Sequence, residues 1–288
     1  MDFPNYFADA ESSFDDASFI LFGVPFEKTS SFRHGADKAP YEVRQASWNF
    51  ERYDLRTGIN FEEILVHDYG DLDAQNLTSK EVFETTKTFT SKLLVKKKIP
   101  IAIGGDHSIT PGIIAAFPKD IAVISLDAHM DFRQKYKNDI YNHACVIRRV
   151  ADHIPLQNIA VLGIRSAEKE EYEQAQEQGL FFRDVFTINK IGIQKSIQQT
   201  KTHLKGKQIY LTLDIDVVDP AYAPGTSTPE PFGLTPLDVL EIIGAFSPQL
   251  IGCDVVEVCP PYDHGQTAVL AAKLVQTCIS GIWRNREA

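Results

Sequence analysis

Seven short apolar runs recur along the chain, and several of them stop on an aspartate or lead into a histidine. They are Phe19 to Val24, Ile64 to His67, Ile99 to Ile103, Ile121 to Leu126, Ile159 to Leu162, Gln208 to Leu213 and Leu250 to Val256. Runs of this length are strands buried on both faces, and the intervening stretches have helical spacing, so the alternation predicts a parallel sheet with crossover helices. One such helix begins at Thr78, which has capping-box spacing to Glu81; Val82, Thr86, Phe89 and Leu93 then follow one face up to the cations Lys96 to Lys98. A second spans Thr267 to Arg284, with Gly281 marking its fraying or its end. No internal repeat, low-complexity tract or Pro/Ser-rich linker divides the chain, which predicts one α/β domain over residues 1–288.

Bulk properties narrow the class. The 288 residues are 43% hydrophobic and 24% charged, an ordinary globular balance. No apolar run approaches the ~18–20 residues needed to cross a bilayer, and the N-terminus lacks a basic region followed by an apolar stretch, so a cytoplasmic protein without a membrane partner is expected. The formal net charge of -10 disfavours nucleic acid and favours cationic ligands. Cys145, Cys253, Cys259 and Cys278 form no CxxC pair and read as reduced thiols.

Chemistry concentrates where the runs end. Ile101 to Ile103 leads into Gly104-Gly105-Asp106-His107-Ser108, Val123 to Leu126 into Asp127-Ala128-His129-Met130-Asp131, and Tyr210 to Leu213 into Asp214-Ile215-Asp216. In open α/β sheets ligands collect beyond the carboxyl ends of strands. Alternation along extended backbone would place Asp127, His129 and Asp131 on one side, and Asp214 with Asp216. Burying so many ionisable groups without a counter-ion is very costly, so a cation is expected. Carboxylate and imidazole without thiolate suit Mn²⁺ better than structural zinc. His107, Asp127, His129, Asp131, Asp214 and Asp216 exceed one catalytic shell, which points to two Mn²⁺ ions per chain, whose charge the four aspartates balance. A phosphate loop at Gly104-Gly105 is disfavoured, because the lysine and the spacing are missing.

The GGDHS segment at 104–108, DAHMD at 127–131 and DIDVVDPAYAPGTSTP from Asp214 to Pro229 resemble the signatures of the ureohydrolase family of arginases and agmatinases. Gly163-Ile164-Arg165-Ser166, Asp254 to Val258, Gly23-Val24-Pro25 and Ser30 to Gly35 extend the resemblance from about Gly23 to about Asp263. It implies a three-layer α/β/α fold and a binuclear manganese centre in which His107 and Asp131 serve one ion, His129 and Asp216 the other, and Asp127 and Asp214 bridge. It further implies that His143 is a proton shuttle, that Glu257 faces the guanidinium, that Thr228 lines the pocket near it, and that the chain forms trimers or hexamers. The implied reaction adds water to a guanidinium group, releasing urea and an amine. Two departures stand out: Asn142-His143-Ala144 replaces the usual Ser-His-Gly, which bears on the loop carrying His143, and Phe232 occupies a common glycine position near the expected pocket entrance.

Other readings of these residues are a binuclear phosphoesterase, a non-catalytic metal-binding homologue, and a Glu257 that merely pairs with Arg165. The phosphoesterase lacks a GNHE-type segment and a basic phosphate-binding cluster, and the non-catalytic homologue would require a lost ligand or shuttle. Within the family reading, Phe132 to Asn142 is shorter than the corresponding arginase loop and lacks its serine-rich donors for an α-carboxylate. Agmatine, or aminopropylagmatine, is therefore expected over arginine, in keeping with a place in polyamine biosynthesis. Capture of a carboxylate by Arg133, Lys135 or Lys137 would instead favour arginine or guanidinobutyrate. His34, His67, His153, His203 and His264 have no comparably spaced partners and are assigned no chemistry.

Overall fold

A computed structural model describes residues 3–287. The apolar runs form strands β1 (Phe19–Val24), β4 (Val66–Asp71), β5 (Ile99–Gly104), β6 (Ala122–Leu126), β7 (Ile159–Ile164), β9 (Ile209–Asp214) and β10 (Leu250–Val256), joined by β8 (Phe181–Asp184). All pair in parallel, in the order β4-β1-β5-β10-β9-β6-β7-β8. A separate antiparallel pair, β2 (Tyr53–Asp54) and β3 (Ile59–Asn60), lies outside this sheet.

Alternation within the strands builds two cores. Ile101, Ile103, Ile124, Leu126, Leu211 and Leu213 face one way, packing with buried residues of α1 (Ala39–Ser47), α6 (Val185–Ile191), α7 (Ile193–Leu204), α8 (Pro236–Phe246) and α9 (Gln266–Glu287). Ala102, Val123, Val161 and Tyr210 face the other way, towards α2 (Ser79–Val95), α3 (Thr110–Ile114), α4 (Val146–Ala151) and α5 (Lys169–Glu177). The result is the expected three-layer α/β/α sandwich. Helix α2 begins with the predicted reciprocal cap, the Thr78 hydroxyl accepting from the Glu81 N–H and the Glu81 carboxylate from the Thr78 N–H.

Three expectations need correction. Strand β4 begins two residues later than its apolar run and continues through His67 to Asp71, because an edge strand tolerates polar residues. Strand β8 and the β2–β3 pair are additions. Gly281 does not end α9, which runs on to Glu287. Its missing side chain serves close packing instead: a Cβ there would lie 2.3 Å from Ser247 Oγ.

Candidate metal centre and cleft

Parallel pairing places β5, β10, β9 and β6 side by side, so motifs distant in sequence converge at one edge. Gly105 permits the first turn: a Cβ would lie 1.9 Å from the Phe26 carbonyl oxygen in the loop after β1. His107 follows, buried, with Nδ1 3.2 Å from Asp127, 3.3 Å from Asp214 and 3.4 Å from Asp131. His129 Nδ1 lies 2.8 Å from Asp216 and 3.7 Å from Asp127. Donor atoms of His107, Asp127 and Asp214, and of Asp127, His129 and Asp216, form two groups compact enough to hold a cation each, with Asp127 common to both. Asp214 falls in one group only, and Asp131 in neither, although it adjoins His107.

The convergence does not arise from strand alternation. β6 ends at Leu126, so Asp127 to Asp131 lie on a loop, and Asp131 adopts a left-handed φ of 48°. Asp216 lies in a 3₁₀ turn, where the Asp214 carboxylate accepts its N–H at 2.9 Å. The Asp127 carboxylate likewise accepts the His129 N–H at 2.6 Å, and Asp216 accepts the Ala128 N–H at 3.0 Å. Short Asx-type bonds thus aim the acids.

The donor set fits divalent cations. His107 Nδ1 and Asp127 Oδ2 are buried without a hydrogen-bond partner, and burial drives Asp131 up to about 7 and Asp214 well above the carboxylate range. Each effect is what a cation would relieve. Behind His107, Nε2 lies 2.9 Å from the Thr212 hydroxyl, which itself donates to Asp254 at 2.6 Å. Because the Thr212 proton goes to the carboxylate, its oxygen accepts the Nε2 hydrogen, so Nδ1, which faces the acids, is the nitrogen whose lone pair a cation would take.

A cleft opens over these groups, lined by Asp131, Asp214, His129, His143, Thr228 and Glu257 among others. Glu257 is buried, with a left-handed φ of 63°, and its Oε1 accepts the His107 N–H at 2.7 Å. Burial, reinforced by the charge of Asp106, raises it to about 8. It does not pair with Arg165, whose guanidinium donates to the carbonyls of Gly163, Asp216, Val217, Glu230 and Pro231. His143 is half-buried and desolvation lowers it to about 4. Thr228 lines the cleft with Glu257, but its hydroxyl is directed to Asp216 at 3.4 Å. Asn142 suits its position: its side chain accepts the Ala144 N–H and donates to the Thr29 carbonyl. Phe232 does not narrow the cleft; it is 71% exposed and absent from the lining.

Sequence reasoning missed several contributors. Thr29, Asp106, Thr212 and Asp254 orient histidines or loops, and Glu230 lies 3.7 Å from His129 Nε2. Their only signal was membership of the quoted segments or proximity to them. The histidines assigned no chemistry stay apart from the cleft lining; His67 and His153, for instance, bond to the carbonyls of Ser12 and Phe117. The cysteines are buried and unpaired.

A sequence profile described as the arginase family matches residues 17–281. The chain belongs to the arginase family. Its members are binuclear metal enzymes, and this chain is accordingly a ureohydrolase, an amidinohydrolase acting on linear guanidino compounds. An agmatinase of Bacillus anthracis is 34% identical over 96% of this chain and 95% of that one. A mitochondrial guanidino acid hydrolase of Homo sapiens is 35% identical, covering 90% and 76% respectively. Among solved arginase-family structures, the agmatine ureohydrolase of Thermoplasma volcanium superposes with a TM-score of 0.94 at 38% identity, covering 100% of this chain and 97% of that one. Among the described residues no helix is long and apolar enough to cross a membrane.

Proposed function

We propose that this ureohydrolase cleaves agmatine, or the longer aminopropylagmatine, to urea and an amine, with two Mn²⁺ ions held by His107, Asp127, His129, Asp131, Asp214 and Asp216. In this reading residues 1–288 form one catalytic domain, working in the cytoplasm as a homo-oligomer in polyamine biosynthesis. The mixed oxygen and imidazole donors, without thiolate, support manganese. When bound, such a pair supplies the Lewis acidity that makes water nucleophilic near neutral pH.

The protein's own groups do the rest. Glu257, a carboxyl held near 8 in a desolvated wall, gains ionisation when a guanidinium settles against it, so binding and orientation of the cation reinforce each other. His143, neutral at pH 7, accepts the proton given up by water and passes it to the departing amine.

One observation carries the substrate assignment: Arg133, the one Arg or Lys on the cleft wall among the described residues, is already engaged. It lies 3.5 Å from Glu171 and 3.7 Å from Glu168, and its guanidinium stacks 5.0 Å from the Tyr136 ring centroid. Lys137 stands over the same ring, and Lys135 lines a neighbouring depression. With Glu168 and Glu171 flanking Arg133, the outer wall favours an amine tail over a carboxylate, which would have to displace these pairs. Overall identity does not decide the matter, since an agmatinase and a guanidino acid hydrolase match almost equally well. The test is kcat/KM for agmatine, aminopropylagmatine, arginine and guanidinobutyrate on one Mn²⁺-loaded preparation. Either amine-tailed substrate should lead; a preference of about tenfold or more for a carboxylate-bearing one overturns the assignment.

A further inference from the structure

One hydroxyl joins His143 to the loop after β1. Thr29 Oγ1 lies 2.9 Å from Asp106 Oδ2, 3.0 Å from the His143 backbone nitrogen and 3.2 Å from His143 Nδ1. Three contacts meet on an oxygen with one hydrogen, so counting donors fixes their direction. The backbone N–H of His143 can only donate. Asp106 is fully buried; on Oδ2 it also takes the Thr29 backbone N–H, and on Oδ1 the N–H and hydroxyl of Ser108. A carboxylate surrounded by donors draws the Thr29 hydroxyl hydrogen as well, since charge-assisted hydrogen bonds are about twice as strong as neutral ones. The two lone pairs left on Thr29 Oγ1 then accept, one from the His143 backbone and one from ring Nδ1. Nδ1 must carry hydrogen, and in the neutral ring the free lone pair lies on Nε2. Among the described residues Nε2 has no hydrogen-bond partner, and His143 lines the cleft.

We propose that Thr29, backed by Asp106, is a positioning residue that holds His143 as the Nδ1–H tautomer and presents Nε2 to the cleft as its proton-carrying atom. The arrangement repeats the device behind His107, where Thr212 and Asp254 fix the opposite nitrogen. In both cases a buried aspartate orients a threonine hydroxyl, and the hydroxyl selects which imidazole nitrogen works. The inference rests on the reading of His143 as a proton carrier, but the tautomer can be read without turnover.

The experiment combines ring ¹⁵N NMR with kinetics. Full-length protein carrying ¹⁵N-histidine is loaded with diamagnetic Zn²⁺ and held at pH 8, and the His143 signals are assigned by their loss in His143→Ala. Wild type should show a protonated Nδ1 and a bare Nε2. Thr29→Val should move the ring towards the other tautomer and, in Mn²⁺-loaded protein, lower kcat by roughly tenfold to hundredfold while KM changes by less than about threefold. Thr29→Ser, which keeps the hydroxyl, should restore both. A hydrogen on Nε2 in wild type overturns the proposal, as does a Thr29→Ser protein no better than Thr29→Val, or an unchanged kcat in Thr29→Val. Should the valine variant fail to fold, the wild-type tautomer and the serine variant decide. Full kcat in His143→Ala defeats the shuttle reading itself, an outcome distinct from a wrong tautomer.

Discussion

Among the site residues Asp127 has the most demanding position. It is fully buried at the end of β6, one carboxylate oxygen facing His107 and the other receiving the His129 N–H. It also belongs to both groups of candidate ligands, whereas Asp216 belongs to one. Asp127→Ala should therefore abolish binding of both ions, while Asp216→Ala should retain close to one per chain, as counted by metal analysis after exhaustive dialysis. Activity should fall further in Asp127→Ala. Equal stoichiometry in the two variants would show that Asp127 does not bridge. The acids themselves were legible because aspartates and histidines two residues apart at the end of an apolar run are costly to bury without a cation. Their supporting groups were not. Thr212 and Asp254 are separated by 42 residues and acquire meaning only because β9 and β10 are neighbours, and Thr29 reaches His143 across 114.

At the level of elements, strands buried on both faces could be read directly, since β1 coincides with an uninterrupted apolar run and β10 with one broken only by Asp254. The weaker strands could not: β8, Phe-Phe-Arg-Asp, at one edge of the sheet, is half-buried throughout, and the strands of the separate β2–β3 pair have two residues each. What secures the active edge is also a matter of elements. Arg165, leaving β7, ties the turn after β9 at Asp216 and Val217 to the segment Glu230–Pro231 through four carbonyls, and holds to its own strand through that of Gly163. Lysine has a single ammonium and cannot span them. Arg165→Lys should lower stability by about 2–3 kcal/mol, as several partly buried carbonyls lose their donors. It should also raise the Mn²⁺ concentration needed for half-maximal activity, because the turn carrying Asp216 loses its anchor. Denaturant unfolding and metal titration measure the two effects, and wild-type values in both would reduce Arg165 to a surface tie.

For the whole molecule, an occupied centre would couple metal binding to folding. In the metal-free protein Asp131 sits near 7 instead of near its unfolded value of about 4, so between those pH values the folded chain binds more protons than the unfolded one. Stability then falls as pH rises through that window, by the linkage relation, and the lost increment is fully present only below about pH 4. Asp214, also raised by burial and by neighbouring Asp216 and Asp127, acts in the same direction. A divalent cation replaces those protons, so its stabilisation should grow from pH 5 to pH 7. At a concentration about 100-fold above Kd, one ion adds about 2.7 kcal/mol if the unfolded chain does not bind it. For a chain of 288 residues, whose unfolding entropy is about 0.6 kcal/mol/K, that corresponds to roughly 4–5 °C in Tm. Thermal unfolding with Mn²⁺ and with a chelator at pH 5, 6 and 7 measures the increment. It should be largest at pH 7 and vanish in Asp127→Ala; an increment independent of pH, or retained in that variant, would place the ion elsewhere than among these carboxylates.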